Sequence, residues 1–324
     1  MKLGRAPSPH LRPFAVLTAC VILLAALDMG QGRFLSAATA YSTLQIFATV
    51  SLVTLGLGLT MMIREFDLSV VGMYGMAGCI AVLTGTDHPW LGLGLALAIG
   101  LAAGVVQGSI IVRLHLSSVG VTLGGLLVFV GIAFVLTESR SLPYENLGVA
   151  LLLNQRLGGI FSIRSLVACG FFAAAAIGFA WTRFGRDIIA VGSDPRAALT
   201  SGVRIGPLTV AIFAFSGFCA ALSGALLSYS LASASPAGLS DVIAPAAAGA
   251  ILGGVSLGGG TGRPLGIAAG ALTLAVLRSG LNAIGAPPFV NDVVMGTVLL
   301  TVAVLDGPDL MRRLIGVSRS ARRC

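Results

Sequence analysis

An all-α, polytopic transmembrane helix bundle of about ten membrane segments, with N- and C-termini in the cytosol, is the fold class this sequence predicts. Three observations predict it. The chain of 324 residues is 56% hydrophobic and only 10% charged, with a mean hydropathy of +0.98, whereas a soluble domain carries roughly 25% charged residues. Apolar runs of about 20 residues, the length a helix needs to cross the hydrocarbon core, recur from residue 14 to residue 305 without a long polar interruption. The basic residues, finally, crowd into alternate connections between those runs.

Between polar breaks the runs are 14–31, 41–63, 69–86, 91–112, 118–137, 165–182, 207–231, 243–257, 264–284 and 290–305. The first follows Lys2, Arg5 and Arg12 and precedes the Ala-rich stretch 37–40, a pattern a cleaved secretory signal shares. Equally apolar spans follow it, so it reads as a first membrane helix. With the N-terminus inside, the cytosolic connections hold Lys2, Arg5, Arg12, Arg64, Arg113, Arg183, Arg186, Arg196, Arg204, Arg263, Arg312, Arg313, Arg319, Arg322 and Arg323. The outer connections hold only Arg33, Arg140, Arg156 and Arg164, and Arg278 stays within a span. An even number of segments agrees with this bias. The expected organisation is one transmembrane domain over 1–324: an N-tail 1–13, a membrane bundle 14–305 with a cytosolic loop 183–206, and a basic tail 306–324.

Several function classes are excluded at this stage. The net charge of +8 is scattered through loops and never forms a basic face with interleaved aromatics, so nucleic acid is not a partner. Of the five cysteines, Cys20, Cys79, Cys169 and Cys219 lie in apolar segments without metal-type spacing and read as small packing residues, and Cys324 ends the tail. The only lysine is Lys2, so no phosphate-binding P-loop exists and any ATP chemistry belongs to another protein. His10, His88 and His115 make no nucleophile-base constellation, which speaks against a membrane enzyme.

Two interruptions occupy matching places in the two halves: Arg64-Glu65-Phe66-Asp67-Leu68-Ser69 and Gly253-Gly254-Val255-Ser256-Leu257-Gly258-Gly259-Gly260. They read either as broken helices beside a transport pathway or as two ordinary cytosolic turns. Asp67 suits a positioning or capping role or an ion site, and Asp292, after Asn291, suits a helix N-cap. Glycines spaced by four at 254, 258, 262, 266 and 270, and at 100, 104 and 108, predict smooth helix faces for close packing. The loop 183–204 spells out a short helix: Asp194 caps, Pro195 takes the first position, Arg196 to Ser201 run helical, and Gly202 supplies a left-handed stop. Such a capped peg, about 10 Å long, with small Ala197 and Ala198 on it, suits a groove on another protein.

These residues together resemble the membrane permease subunits of ribose-type (monosaccharide) bacterial ABC importers. The resemblance spans nearly the whole chain and rests on Phe66-Asp67-Leu68-Ser69-Val70, Val121-Thr122-Leu123-Gly124, Thr182-Arg183-Phe184-Gly185-Arg186, Ala190-Val191-Gly192-Ser193-Asp194 with Ala197-Ala198 and Ser201-Gly202, and Gly253-Gly254-Val255-Ser256-Leu257. It implies a bacterial inner-membrane subunit without catalytic residues, metal or cofactor of its own. ATP and Mg would sit on cytosolic ATP-binding cassette subunits, a periplasmic sugar-binding protein would deliver the solute, and a second permease copy or sister permease would complete the pathway. The resemblance implies coupling residues Arg183, Gly185, Arg186, Asp194, Pro195, Ala197, Ala198 and Gly202, and pathway residues Asp67, Ser69, Gln107, Thr122, Ser256 and Asn282. The sequence departs from the family where Arg64 and Glu65 replace two glycines, Gln107-Gly108 replaces Asn-Gly, and Ser117-Ser118 replaces Pro-Pro. Either Arg64 and Glu65 neutralise each other, or the solute differs from a plain neutral sugar. The competing reading is a stand-alone ion-coupled carrier that uses Asp67 and Glu65.

Overall fold

The computed structural model describes residues 11–28, 32–236, 242–287, 289–298 and 300–301; the tail 306–324 lies outside the described residues. Its helices in chain order are α1 (Arg12–Leu27), α2 (Ala37–Met62), α3 (Val70–Thr84), α4 (Pro89–Leu114), α5 (Ser118–Leu136), α6 (Leu147–Asn154), α7 (Ile163–Trp181), α8 (Arg183–Ser193), α9 (Pro195–Thr200), α10 (Ile205–Ser230), α11 (Ile243–Leu252), α12 (Pro264–Ala283) and α13 (Phe289–Val298). Each predicted apolar run overlaps one of them. Among the described residues, α2, α4, α5, α7, α10 and α12 are long and apolar enough to cross a membrane, while α1, α3, α11 and α13 are apolar but shorter. The all-α, multi-pass class is therefore observed. The shortening of α3 and α11 has a local cause, since each abuts one of the interruptions.

Two helices form the centre. In their most apolar stretches α2 is 72% and α10 is 78% buried, against 11% for α5 and 22% for α7. From Ser51 to Met62 every residue of α2 is buried, as expected of a helix apolar on all sides. The outer helices instead show aliphatic side chains to the surroundings, among them Leu127, Val128 and Val135 of α5 and Ile177 of α7, as lipid demands.

Backbone proximity seals the centre. A Cβ at Gly100, Gly104 or Gly108 of α4 would strike α10 at Gly217, Phe213 or Val210, and one at Gly217 would strike Gly100. The stripe at 100, 104 and 108 thus lets α4 and α10 touch backbone to backbone. The second stripe is only half a helix. Gly266 and Gly270 lie on α12 and press against Gly249 of α11 and Gly253 just past its end, but Gly254, Gly258 and Gly262 sit in the α11–α12 connection, where Gly254 and Gly262 have φ of 85° and 133°. Gly254 and Gly262 serve a left-handed backbone there, so this part of the stripe is a loop and not a helix face.

The expected outer end is more ordered than a plain loop. A two-residue strand, Leu142–Pro143 (β1), pairs antiparallel with Ser233–Ala234 (β2), and Tyr144 stacks on Tyr229 at 4.7 Å between ring centres. Arg164 also departs from the loop assignment. It is the second residue of α7, only 5% exposed, and donates through Nη1 to Gln45 Oε1 (3.2 Å) and Ser230 Oγ (2.9 Å) and through Nη2 to Thr49 Oγ1 (2.7 Å). Neutral acceptors on α2 and α10 solvate a charge the bilayer would otherwise penalise. Asp292 likewise differs from its N-cap assignment: α13 begins at Phe289, so Asp292 lies within the first helical turns, where a carboxylate still suits the positive helix end.

Candidate functional site

The first interruption folds around Asp67. Helix α2 ends at Met62, Arg64 turns the chain with φ of 67°, and α3 begins at Val70. Asp67 is 1% exposed. Its Oδ1 accepts from Ser69 N (3.0 Å) and Ser69 Oγ (2.6 Å), and its Oδ2 accepts from Ser216 Oγ of α10 (2.7 Å). An aspartate bonding the amide two residues on is a local turn device; Ser69, not Asp67, is the N-cap of α3, so the geometry supports the positioning role of Asp67 rather than a helix cap.

Ser69 Oγ also lies 2.9 Å from the amide oxygen of Gln107 on α4, while Gln107 Nε2 is buried without a partner. One hydroxyl proton cannot serve two acceptors. Turning the Gln107 amide over lets Nε2 donate to Ser69 Oγ, which then donates to Asp67, and the chain of bonds becomes consistent. From α5, Thr122 Oγ1 accepts from Leu68 N (3.1 Å) and lies 2.8 Å from Ser118 O, and Ser118 Oγ accepts from Phe66 N (3.2 Å). Thus α5 accepts from the amides of Phe66 and Leu68, which no helix satisfies, while α4 and α10 hold the side chains of Ser69 and Asp67.

Four of the six sequence-derived pathway residues, Asp67, Ser69, Gln107 and Thr122, therefore meet in one network. Ser118, noted in the sequence only for standing where the family has proline, and Ser216 complete it; Ser216 escaped sequence reasoning, because a lone serine in an apolar run has no local signature. Ser256 lies apart, in the second interruption, where its Oγ accepts from Gly258 N (3.2 Å). Asn282 is exposed near the far end of α12 and accepts from Asn291 Nδ2 (2.9 Å); it does not join the network.

The two interruptions nevertheless touch. Gly260 N donates to Met62 O (2.9 Å), and a Cβ at Gly192, near the end of α8, would strike Met62 O and Gly260. Arg64 closes the junction by donating Nε to Gly192 O (2.7 Å) and Nη2 to Ser193 O (2.6 Å). A cation on the last carbonyls of a helix satisfies orphan acceptors and opposes the negative end of the helix dipole. Of the two alternatives, the mutual Arg64–Glu65 pair is not formed among the described residues: Arg64 instead serves the end of α8. Burial raises the carboxyl pKa of Glu65 against the lowering effect of Ser118.

Beyond α8 the chain makes the short helix read from sequence. Asp194 Oδ1 accepts from Arg196 N (2.9 Å) and Ala197 N (3.2 Å), Pro195 opens α9, and Gly202 turns with φ of 83°. The helix ends at Thr200, one residue before the expected Ser201. Arg183, Arg186 and Asp194 are exposed, and Gly185 is buried where a Cβ would strike Phe179 O. Ala197 and Ala198 separate: Ala197 is exposed, while Ala198 packs inward at 3% exposure. The apolar residue that α9 presents outward is Leu199, 59% exposed. Sequence reasoning passed over it because leucine is unremarkable in so apolar a chain.

A multi-pass helical membrane protein, broken twice, with a buried carboxylate in the first break and a short capped hairpin tied to both breaks, is the class these elements define. The chain belongs to the family described as branched-chain amino acid transport system / permease component, which it matches over residues 39–303. It is similar to the autoinducer 2 import system permease protein of Photorhabdus luminescens, 31% identical over 305 residues, covering 91% of this chain and 90% of the relative. The ribose import permease protein of Bacillus subtilis (strain 168) is 30% identical over 304 residues, covering 91% and 92%. The galactose/methyl galactoside import permease protein of Escherichia coli (strain K12) is 27% identical over 331 residues, covering 94% and 96%. No solved structure matches the chain. The chain is accordingly a transport permease component, as the resemblance implied, and an integral membrane protein.

Proposed function

We propose that this chain is the membrane subunit of a bacterial ABC importer, moving a sugar or a small polar solute of similar kind by alternating access driven by ATP hydrolysis on partner subunits. The observation that carries the mechanism is the Arg64 tie. The α8–α9 hairpin, suited to dock on another protein, is bonded directly to the break that carries Asp67. A push on α9 therefore has a short, hydrogen-bonded route to the centre of the bundle. Residues Arg183, Gly185, Arg186, Asp194, Pro195, Ala197, Ala198 and Gly202 form or support the docking hairpin, with Leu199 added. Asp67, Ser69, Gln107 and Thr122 set the conformation of the gate region, with Ser256 in the neighbouring break.

The substrate class follows the relatives that import ribose and galactose. MgATP belongs to a pair of cytosolic ATP-binding subunits, since the chain has no P-loop, and a periplasmic binding protein supplies the solute. The apolar outer face of α5 suits lipid and a second permease copy. The ten apolar segments form one domain in the inner membrane, termini and α8–α9 in the cytosol, following the bias of arginines. Family membership weighs against the stand-alone ion-coupled carrier.

Affinity purification in mild detergent tests the reading. We expect an ATP-binding subunit to co-purify and to be lost from the Ala197→Asp, Leu199→Asp double variant, which still inserts in the membrane. A chain that purifies stably alone, or a double variant with normal uptake, refutes it.

A further inference from the structure

Between α7–α8 on one side and the α11–α12 connection on the other lies an open groove of about 770 Å³. Its inner wall is apolar, formed by Ala176, Phe179 and Ala180 of α7 and Leu265 of α12, and Arg186 and Arg263 stand at its mouth. Both arginines are exposed, and neither guanidinium is hydrogen-bonded or ion-paired among the described residues. Trp181, at the end of α7, is 83% exposed. An exposed tryptophan at a helix end marks the membrane–water interface. Ala176 precedes it by five residues, about 7 Å along the helix, so the apolar wall reaches into the hydrocarbon while the arginines stay at headgroup level.

We propose that this groove binds an anionic phospholipid, its phosphate between Arg186 and Arg263 and its upper acyl chain along Ala176, Phe179 and Leu265. Charge complementarity selects the occupant: a groove with two unneutralised cations at its rim and an aliphatic wall at acyl depth fits an amphiphilic anion. A free phosphate would leave the wall wet, and a zwitterionic headgroup would bring its own cation to the arginines. The proposal rests on the membrane orientation given above, because the arginines meet the anionic leaflet only if α8 is cytosolic. An occupied site would brace α8, the helix whose end Arg64 holds.

Native mass spectrometry of the detergent-purified permease, titrated with phosphatidylglycerol or with phosphatidylcholine of identical acyl chains, tests it. We expect at least about tenfold preference for phosphatidylglycerol, reduced about fivefold in Arg263→Gln and unchanged in Arg33→Gln at the opposite end. Leu265→Ser should weaken both lipids alike, which separates loss of the wall from loss of charge. Equal binding of the two lipids, the same loss in Arg33→Gln, displacement by millimolar inorganic phosphate, or expulsion of the lipid when the ATP-binding subunit assembles overturns the proposal. Detergent particles have no sides, so this result is independent of orientation. Orientation is read separately from membrane-impermeant labelling of Leu199→Cys in cells.

Discussion

At the scale of single residues, two buried polar groups hold the bundle where periodicity gives no hint of them. Asp67 satisfies one amide and two hydroxyls. Asp67→Ala should lower stability by about 1–3 kcal/mol for the orphaned donors, measured as a shifted thermal transition in detergent. Asp67→Asn keeps the shape and should cost less. Equal stability of Asp67→Ala and the natural chain would mean the network contributes nothing. Arg164 joins three helices through side-chain acceptors. Arg164→Leu should destabilise by about 2 kcal/mol or more, because Gln45, Thr49 and Ser230 then face an apolar side chain; unchanged melting contradicts this. The apolar run from residue 165 onward is plain in the sequence, yet Arg164 falls just before it. Its burial comes from α2 and α10, which no local pattern reveals.

Elements add their own tests. The α4–α10 seam depends on absent side chains, so Gly104→Val, which places atoms on the backbone of Phe213 and Ala214, should destabilise by about 1–3 kcal/mol or prevent accumulation. On α5, a Cβ added at Gly131 would meet nothing within 4 Å, so Gly131→Ala should gain roughly 0.5–1 kcal/mol of helix propensity. Expression level and melting in detergent check both, and equal behaviour of the pair would refute the seam. For α9, Asp194→Ala removes the acceptor of two amides. A local cost of about 1 kcal/mol should lower solute uptake more than it lowers melting temperature. Nearly every boundary of α9 was legible because capping chemistry is local. Half the glycine stripe at 254–270 was misread because spacing by four does not distinguish a helix face from a string of turns.

For the whole molecule, the arrangement couples a peripheral hairpin to the centre through backbone contacts. Arg64→Gly, which suits the left-handed backbone at this position, frees Gly192 O and Ser193 O and should loosen that tie. Uptake should fall relative to ATP hydrolysis by the assembled complex; an unchanged ratio of solute moved to ATP consumed would show that coupling takes another route. Topology is checked by reactive single cysteines. Leu199→Cys should react with an impermeant reagent only from the cytosol and Gln155→Cys only from outside, and the reverse pattern would invert the proposed orientation.

By itself the sequence determined the solvent of this protein, the position of its ten apolar helices and of α9, and the family it belongs to, because hydropathy over twenty residues, helix caps and short motifs are local properties written in order; it missed α6 and α8, which lie in stretches read as loops. The tertiary structure alone decided that Asp67, Ser69, Gln107, Thr122 and Ser216 share one network, and that Arg64 serves the end of α8 rather than Glu65. The same holds for the inward side of α9, which carries Ala198 while Leu199 points out. Each is a contact between residues far apart in the chain, set by how small residues let helices approach, and no periodicity along one stretch of sequence encodes it.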